Sequence, residues 1–105
     1  MKMVSAYVRR ERTSHLIQKL YQAGIKGLTV YVVHGLSGEV STFLYSKRPF
    51  ELDHLPQSLK IEIVCEDGAA DEVVRLIAEG AKTGRPGDGV IAVQEVKRFV
   101  RIHNA

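Results

Sequence analysis

The chain repeats one order of secondary structure, and this repeat constrains its fold more than any other feature. Residues 3–8 alternate in polarity and residues 28–33 are rich in β-branched side chains, so both segments are predicted strands. Between them, apolar residues recur at helical spacing. The buried face predicted for this helix consists of Leu16, Ile17, Leu20 and Ala23. Thr13 or Ser14 is expected to cap its N terminus, and Gly24 to end it with a positive φ.

The second half of the chain follows the same order. Residues 59–64 form a predicted strand, Asp67 can cap the helix that follows, and residues 90–93 and 99–102 are further predicted strands. The apolar face predicted for this helix consists of Val73, Val74, Ile77 and Ala81. The order β-α-β-loop-β-α-β with a tail strand is that of the ferredoxin-like, or split βαβ, fold of the α+β class.

Such a fold places both helices on one face of an antiparallel sheet and leaves the other face uncovered. The predicted strands carry apolar residues on both sides, so the uncovered face would be apolar. A large exposed apolar surface is typical of a protein interface. We therefore expect copies of the chain to associate.

A long stretch without a clear periodic pattern, residues 36–57, separates the two units. In a compact domain, a loop of this length is usually functional or disordered. Leu44, Tyr45 and Phe50 are large side chains that a plain linker does not need, which favours a functional loop. The total of 105 residues predicts one domain that covers residues 1–105.

Composition and motif content argue against several classes of function. The net charge of +3 is too small to indicate nucleic-acid binding. The single cysteine, Cys65, allows neither an intramolecular disulfide nor a multi-cysteine zinc site, and the four histidines lack a metal-ligand spacing. No nucleophile elbow and no acid–base pair stand out, so we do not expect an enzyme. We find no signal peptide and no segment long enough to span a bilayer, and expect a cytoplasmic protein.

Two segments could bind an anion. The first, residues 84–89, contains three glycines in six residues, and such a loop can present backbone N–H groups to a phosphate. A structural turn between helix and strand would use the same residues. The second contains Arg98, Arg101 and His103. In a strand, Arg101 and His103 would project from one face and could pair with a phosphate, although a solvated edge strand is the alternative.

Several of these segments together resemble the PII signal-transduction family over nearly the whole chain. The most specific match is TGRPGDG at residues 83–89, which is similar to the family's B-loop, TGKIGDG. VRIH at residues 100–103 resembles the family's IRIR tail. The other matching segments are GIKGLTV at 24–30, VHG at 33–35, TFLY at 42–45, LP at 55–56 and KIEIV at 60–64.

This resemblance implies a ferredoxin-like homotrimer that binds ATP, ADP or AMP in clefts between subunits, with residues 36–57 as the family's T-loop. Thr29 and the Val64 backbone would hold the adenine, while Arg101 and the backbone of Gly87–Gly89 would hold phosphates. The residues implied in nucleotide binding are Thr29, Gly35, Ser37, Gly38, Val64, Gly87, Asp88, Gly89, Arg101 and His103.

The chain also departs from the family pattern. Val90 stands where the B-loop has a lysine, and His103 where the tail has its second arginine. At the root of the T-loop, Glu39 replaces a glutamine that the family uses to bind Mg-ATP with 2-oxoglutarate. The family's 2-oxoglutarate-binding lysine is missing near Ser58. The chain therefore resembles a divergent member with fewer phosphate-binding cations.

The resemblance implies an adenine-nucleotide-binding regulator that controls a partner protein through its T-loop. With fewer phosphate cations, ADP or AMP is expected to bind about as well as ATP, and the participation of magnesium stays open. The alternative is a PII-fold interaction module that has lost nucleotide sensing and binds a metal or another small anion. The partner, whether a transporter, a channel or an enzyme, is not specified by the sequence.

Overall fold

The computed structural model describes residues 1–35 and 55–105. The strands in this part of the chain are β1 (Lys2–Val8), β2 (Thr29–His34), β3 (Gln57–Cys65) and β4 (Gly89–Glu95). The α-helices are α1 (Thr13–Gln22) and α2 (Ala70–Ala81), and short 3-10 turns lie at Arg10–Arg12, Asp67–Ala69 and Ile102–Asn104. Ser37, Gly38 and most of the predicted loop lie outside the described residues. Gln57, the last residue of that predicted loop, already belongs to β3.

The four strands form one antiparallel sheet in the order β2-β3-β1-β4. β3 lies between β1 and β2, which gives the split βαβ arrangement. The register pairs Val8 of β1 with Leu59 of β3 on one side and with Gly89 of β4 on the other. The α+β, ferredoxin-like prediction is therefore confirmed for these four strands and two helices.

The hydrophobic core lies between one face of the sheet and the two helices. Side chains alternate along a strand, so every second residue of the two central strands points into the core. These residues are Val4, Ala6, Val8, Ile61 and Ile63, and the helices contribute Leu16, Leu20, Val73, Leu76, Ile77 and Ala81. Complete burial of a side chain of the Leu, Ile or Val type contributes about 1.5–3 kcal/mol. Of the predicted helix faces, Ala23 is exposed, and Ile17 and Val74 are only partly buried.

The end of α1 follows the sequence prediction closely. Gly24 has a φ of 92°. The N–H of Gly24 donates to the Tyr21 carbonyl at 3.0 Å, and the N–H of Ile25 donates to the Leu20 carbonyl at 3.0 Å. This pair of bonds is the Schellman motif, in which a glycine at positive φ reverses the chain at a helix end.

The starts of both helices differ from the prediction. Arg12 occupies the N-cap position of α1 without a side-chain capping bond, and Thr13 is already helical. The Thr13 hydroxyl donates to the Arg9 carbonyl over 3.4 Å. A 3-10 turn also precedes α2, and there Asp67 pairs with the α-ammonium group of Met1 at 2.7 Å instead of capping the helix. In both cases a tightened turn leads into the helix, as is common at helix ends.

The predicted final strand is wrong. Residues 99–102 pair with none of the described strands, and the chain turns into the short 3-10 helix Ile102–Asn104. The side chain of Ile102 is 93% exposed. A strand needs a neighbouring strand to satisfy its backbone groups, and the described part of a single chain does not provide one here. Arg101 and His103 therefore do not share a strand face.

The sheet face opposite the helices is uncovered in the described chain, but its centre is not simply apolar. Lys60 lies near two aromatic rings, with its Nζ 5.5 Å from the Tyr7 centroid and 5.6 Å from that of Tyr31. The Tyr31 hydroxyl donates to Glu62 at 2.8 Å, and Lys60 pairs with Glu62 at 3.2 Å. The bond from Tyr31, followed by that from Lys60, lowers the pKa of Glu62. The face therefore combines an ion pair with exposed aromatic surface.

Among the described residues, no helix has the length and apolar character needed to cross a membrane.

Candidate functional site

A cleft of about 930 Å³ opens at the end of the sheet where β1 ends and β4 begins. Its walls include Arg9, Arg10, Gly35, Gln57, Gly87 and Gly89. Because Val8 pairs with both Leu59 and Gly89, the C-terminal end of β1 and the N-terminal ends of β3 and β4 lie at this end of the sheet. Three predicted site residues, Gly35, Gly87 and Gly89, therefore share one cleft.

The Asp88 carboxylate holds the shape of the glycine loop, by which we mean residues 83–89. Its Oδ2 accepts hydrogen bonds from the backbone N–H groups of Thr83 at 2.8 Å and Gly84 at 2.9 Å. Its Oδ1 accepts from the Thr83 hydroxyl and, at 3.0 Å, from Nε of Arg9. These bonds, with those from Thr83 the largest cause, hold the pKa of Asp88 far below its usual range. The carboxylate is thus occupied inside the loop and is not available to a ligand.

Arg9 is the residue of this site that the sequence prediction missed. Besides its bond to Asp88, its Nη2 donates to the Pro86 carbonyl at 2.7 Å. The guanidinium group therefore ties the end of β1 to the glycine loop. The sequence signal was an arginine directly after the first predicted strand. That signal becomes specific only when the strand order is known.

The glycines of the loop are required by the backbone. Gly84, Gly87 and Gly89 have φ values of 84°, 91° and 119°, which side chains rarely tolerate. At Gly89, an added Cβ would overlap the Tyr7 carbonyl oxygen. Within the described residues, the N–H group of Gly87 donates no hydrogen bond, whereas the Asp88 N–H faces the Arg85 carbonyl across the turn at residues 86–87. The loop therefore presents the Gly87 N–H as an unused backbone donor from a fixed conformation.

The described residues on either side of the segment 36–54 pair with one another beside the cleft. The Gly35 N–H donates to the Pro56 carbonyl at 3.1 Å, and His34 pairs with Gln57 in the sheet register. The Nδ1 of His34 also lies 3.3 Å from the Leu55 carbonyl. Gly35, which directly precedes this segment, therefore also lines the cleft.

The two residues predicted to hold the adenine lie elsewhere in the same chain. Thr29 is exposed at the start of β2, the edge strand farthest from β4, and pairs with Glu62 of β3. Val64 lies two residues beyond Glu62 on the same face, so Thr29 and Val64 are diagonal neighbours on the uncovered side of the sheet. The structure brings these two residues together but keeps them apart from the glycine loop.

The predicted tail residues form a third group. Arg101 is exposed, and its guanidinium carbon lies 5.2 Å from the centroid of the Phe99 ring. His103 is exposed in the terminal 3-10 turn. Neither residue lines the cleft beside the glycine loop. Among the described residues, no group of three or more His, Cys, Asp or Glu side chains could hold a metal ion.

Comparisons with known proteins agree with this architecture. The family model Nitrogen regulatory protein P-II matches residues 1–105. The chain is 39% identical over 103 residues to nitrogen regulatory protein P-II 2 of Methanothermobacter thermautotrophicus. This alignment covers 97% of this chain and 89% of the relative. It is also 36% identical over 103 residues to nitrogen regulatory protein P-II of Azospirillum brasilense, and this alignment covers 97% of this chain and 91% of the relative.

The similarity extends to nitrogen regulatory protein GlnK of Escherichia coli (strain K12), which is 33% identical over 103 residues, 97% of this chain and 91% of the relative. The alignments thus span almost the full length of each protein and include both strand–helix–strand units and the glycine loop. The chain therefore belongs to the nitrogen regulatory protein P-II family, whose members are signal-transduction regulators and not enzymes.

Proposed function

We propose that this chain is an adenine-nucleotide-binding regulator whose glycine loop holds the phosphates of ATP, ADP or AMP. The observation that carries this proposal is the state of the loop. Asp88 and Arg9 fix its conformation, and the N–H group of Gly87 is left without an acceptor in the described chain. Backbone donors fixed in this way suit phosphate oxygens, because binding does not have to order the loop.

We further propose that each binding site is shared between two copies of the chain. Thr29 and Gly89 are separated by three residues along the strands and three strands across the sheet. At ordinary strand dimensions this separation is about 10 Å by about 14 Å. One nucleotide could meet both groups more readily if the adenine residues of one copy approached the glycine loop of another. A homotrimer, in which the uncovered sheet faces meet, would supply this arrangement.

The exposed surface supports association. Tyr7 and Tyr31 are exposed on the uncovered face, as is Val90 at the β4 edge, and Ile102 projects from the tail. Several large apolar side chains exposed together are more typical of an interface than of a free surface. Light scattering at micromolar concentration should give the mass of three chains, whereas a stable monomer would contradict the trimer.

Calorimetry with ATP, ADP and AMP is the direct test of nucleotide binding. Replacing Arg101 by alanine should weaken nucleotide affinity by about 1.5–3 kcal/mol, since a charge-assisted bond to a phosphate is lost. Lys97→Ala is the matched control, because Lys97 is an exposed cation in the same tail that is not implied in binding. An Arg101→Ala variant that binds as tightly as Lys97→Ala would remove the tail from the site.

A mixing experiment can separate a shared site from a site within one copy. Asp88→Ala disrupts the glycine loop and Arg101→Ala disrupts the tail, so each variant alone should bind poorly. If the loop and the tail come from different copies, trimers reassembled from an equal mixture should contain about one intact site in four. A site built within one copy would recover no binding on mixing.

The regulated partner is proposed to bind through the T-loop, residues 36–57, and the protein to act in the cytoplasm. Gly35, which precedes the T-loop, pairs with Pro56 near its end, and both residues line the cleft, so a nucleotide in the cleft would contact these described residues. The alternative is a PII-fold interaction module that has lost nucleotide sensing and binds a metal or another small anion. The described residues contain no group of three or more His, Cys, Asp or Glu that could hold a metal ion.

A further inference from the structure

Two arginines line the cleft, and they have different surroundings. Arg9 is half-buried and its charge is matched, since Nε bonds to Asp88 at 3.0 Å and Nη2 bonds to the Pro86 carbonyl at 2.7 Å. An arginine engaged in this way is part of the scaffold. Its replacement would be expected to disturb the glycine loop before it affected any ligand directly.

Arg10 is exposed and its charge is not matched within the described residues. Its Nη1 donates to Oε1 of Gln57 at 3.1 Å, which joins the residue just after β1 to the start of the neighbouring strand β3. A neutral amide can orient a guanidinium group without cancelling its charge. The remaining N–H groups of Arg10 are therefore available to a bound anion.

The cleft needs such a cation. Val90, which follows the glycine loop, is 64% exposed and contributes an apolar surface to the wall of the cleft. Backbone N–H groups alone give directional bonds but no net positive charge. A phosphate chain carries several negative charges, and a guanidinium group binds phosphate oxygens in a planar, bidentate geometry.

We propose that Arg10 is the phosphate-binding cation of this cleft and that Gln57 is its positioning residue. The identity of the ligand as an adenine nucleotide rests on the function proposed above, whereas the assignment of Arg10 to a phosphate group rests on the cleft alone. Attraction to a fixed cation grows with the charge of the ligand. Arg10 therefore favours ATP over ADP and ADP over AMP, in contrast to the similar affinities expected from the sequence when Arg10 is not counted as a phosphate-binding cation.

The test compares Arg10→Gln with Arg75→Gln by calorimetry at low and high salt. The probes are ATP, ADP, AMP and pyrophosphate, with citrate as an anion that carries no phosphate. Arg75 lies on α2, outside the cleft, and its removal causes the same change in net charge. We expect Arg10→Gln to weaken ATP binding by about ten- to a hundredfold, with smaller losses for ADP and AMP. The loss should shrink as salt increases, because screening weakens the attraction. Arg75→Gln should leave all affinities within about twofold of the parent.

Two further variants test positioning. Arg10→Lys keeps the charge but loses the bidentate geometry, and should recover part of the affinity. Gln57→Ala keeps Arg10 but removes the hydrogen bond that orients its guanidinium group, and should lower the affinity for ATP less than Arg10→Gln does. Because Arg10 is exposed, the urea midpoint of Arg10→Gln should match that of the parent protein.

The outcomes separate this inference from the proposed function. ATP and pyrophosphate affinities unchanged in Arg10→Gln would overturn the inference while nucleotide binding stands. A parent protein that binds pyrophosphate through Arg10 but binds no nucleotide would support the inference and reject the proposed function. Arg10-dependent binding of citrate without binding of pyrophosphate would overturn the assignment to phosphate. A parent protein that binds neither nucleotide nor pyrophosphate would overturn both.

Discussion

Replacement of Gly89 by alanine tests the closest backbone approach at the site. Gly89 has a φ of 119°, and an added Cβ would overlap the Tyr7 carbonyl oxygen and lie 2.9 Å from the Tyr7 carbonyl carbon. These are backbone atoms of β1, so no side-chain rotation can relieve the overlap. Holding alanine at this φ costs about 1–3 kcal/mol. Placing an extra carbon in filled space typically costs about 1–3 kcal/mol more.

The expected loss in the free energy of unfolding is therefore about 2–6 kcal/mol for Gly89→Ala. Two other glycines separate the contributions. Gly84 has a φ of 84° but open space around its Cβ position, so Gly84→Ala should cost only the backbone strain, about 1–2 kcal/mol. Gly68 has neither a positive φ nor a neighbour within 4 Å. Gly68→Ala should stabilise the protein by about 0.4–1 kcal/mol, because alanine lowers the entropy of the unfolded chain.

Urea unfolding followed by far-UV circular dichroism measures this series. All variants must be compared at one protein concentration, since association of copies adds to the apparent stability. The expected order of stability is Gly68→Ala, parent, Gly84→Ala and then Gly89→Ala. A Gly89→Ala variant as stable as Gly84→Ala would refute the close approach of β4 to the end of β1, and with it the geometry assigned to the cleft.

Three further predictions follow from the core, the loop and the family pattern. Ile61→Ala should lower the free energy of unfolding by about 2–5 kcal/mol in the same urea assay, because Ile61 is fully buried, while Tyr21→Ala on the exposed side of α1 should change it by less than about 0.5 kcal/mol. The parent protein should have a larger free energy of unfolding than Asp88→Asn, and this difference should be greatest above the unfolded Asp pKa of about 3.9 and decline as the pH falls below it, because folding lowers the pKa of Asp88. Urea titrations from pH 7 to pH 2 measure the difference, and a difference independent of pH would contradict the prediction. Calorimetry should detect no binding of 2-oxoglutarate even with Mg-ATP, because Glu39 adds a negative charge whose repulsion at about 4 Å is roughly 4 kcal/mol at an intermediate dielectric; micromolar affinity would return the protein to ordinary nitrogen sensing.

Local patterns in the sequence determined most of the fold. The alternating segment 3–8 and the helical spacing of Leu16 and Leu20 predicted elements that the structure contains. Gly24 marked the end of α1 because only a glycine adopts its φ easily. These predictions succeed because hydrophobic periodicity and turn chemistry act over a few residues, and the family pattern of the glycine loop added the expected site.

The remaining features depend on residues that are distant in the chain, and only the tertiary structure decided them. The tail 99–102 has a strand-like sequence, but the described chain offers it no pairing partner, so it ends in a 3-10 turn. The hydrogen bond from Arg9 to Asp88 joins residues that are 79 positions apart in the sequence, and it forms because β1 and β4 are neighbours in the sheet. The separation of Thr29 from Gly89 likewise follows from strand order, which periodicity does not encode. Sequence patterns report local preference, whereas the distribution of site residues over two edges of a sheet is set by how the strands are arranged in space.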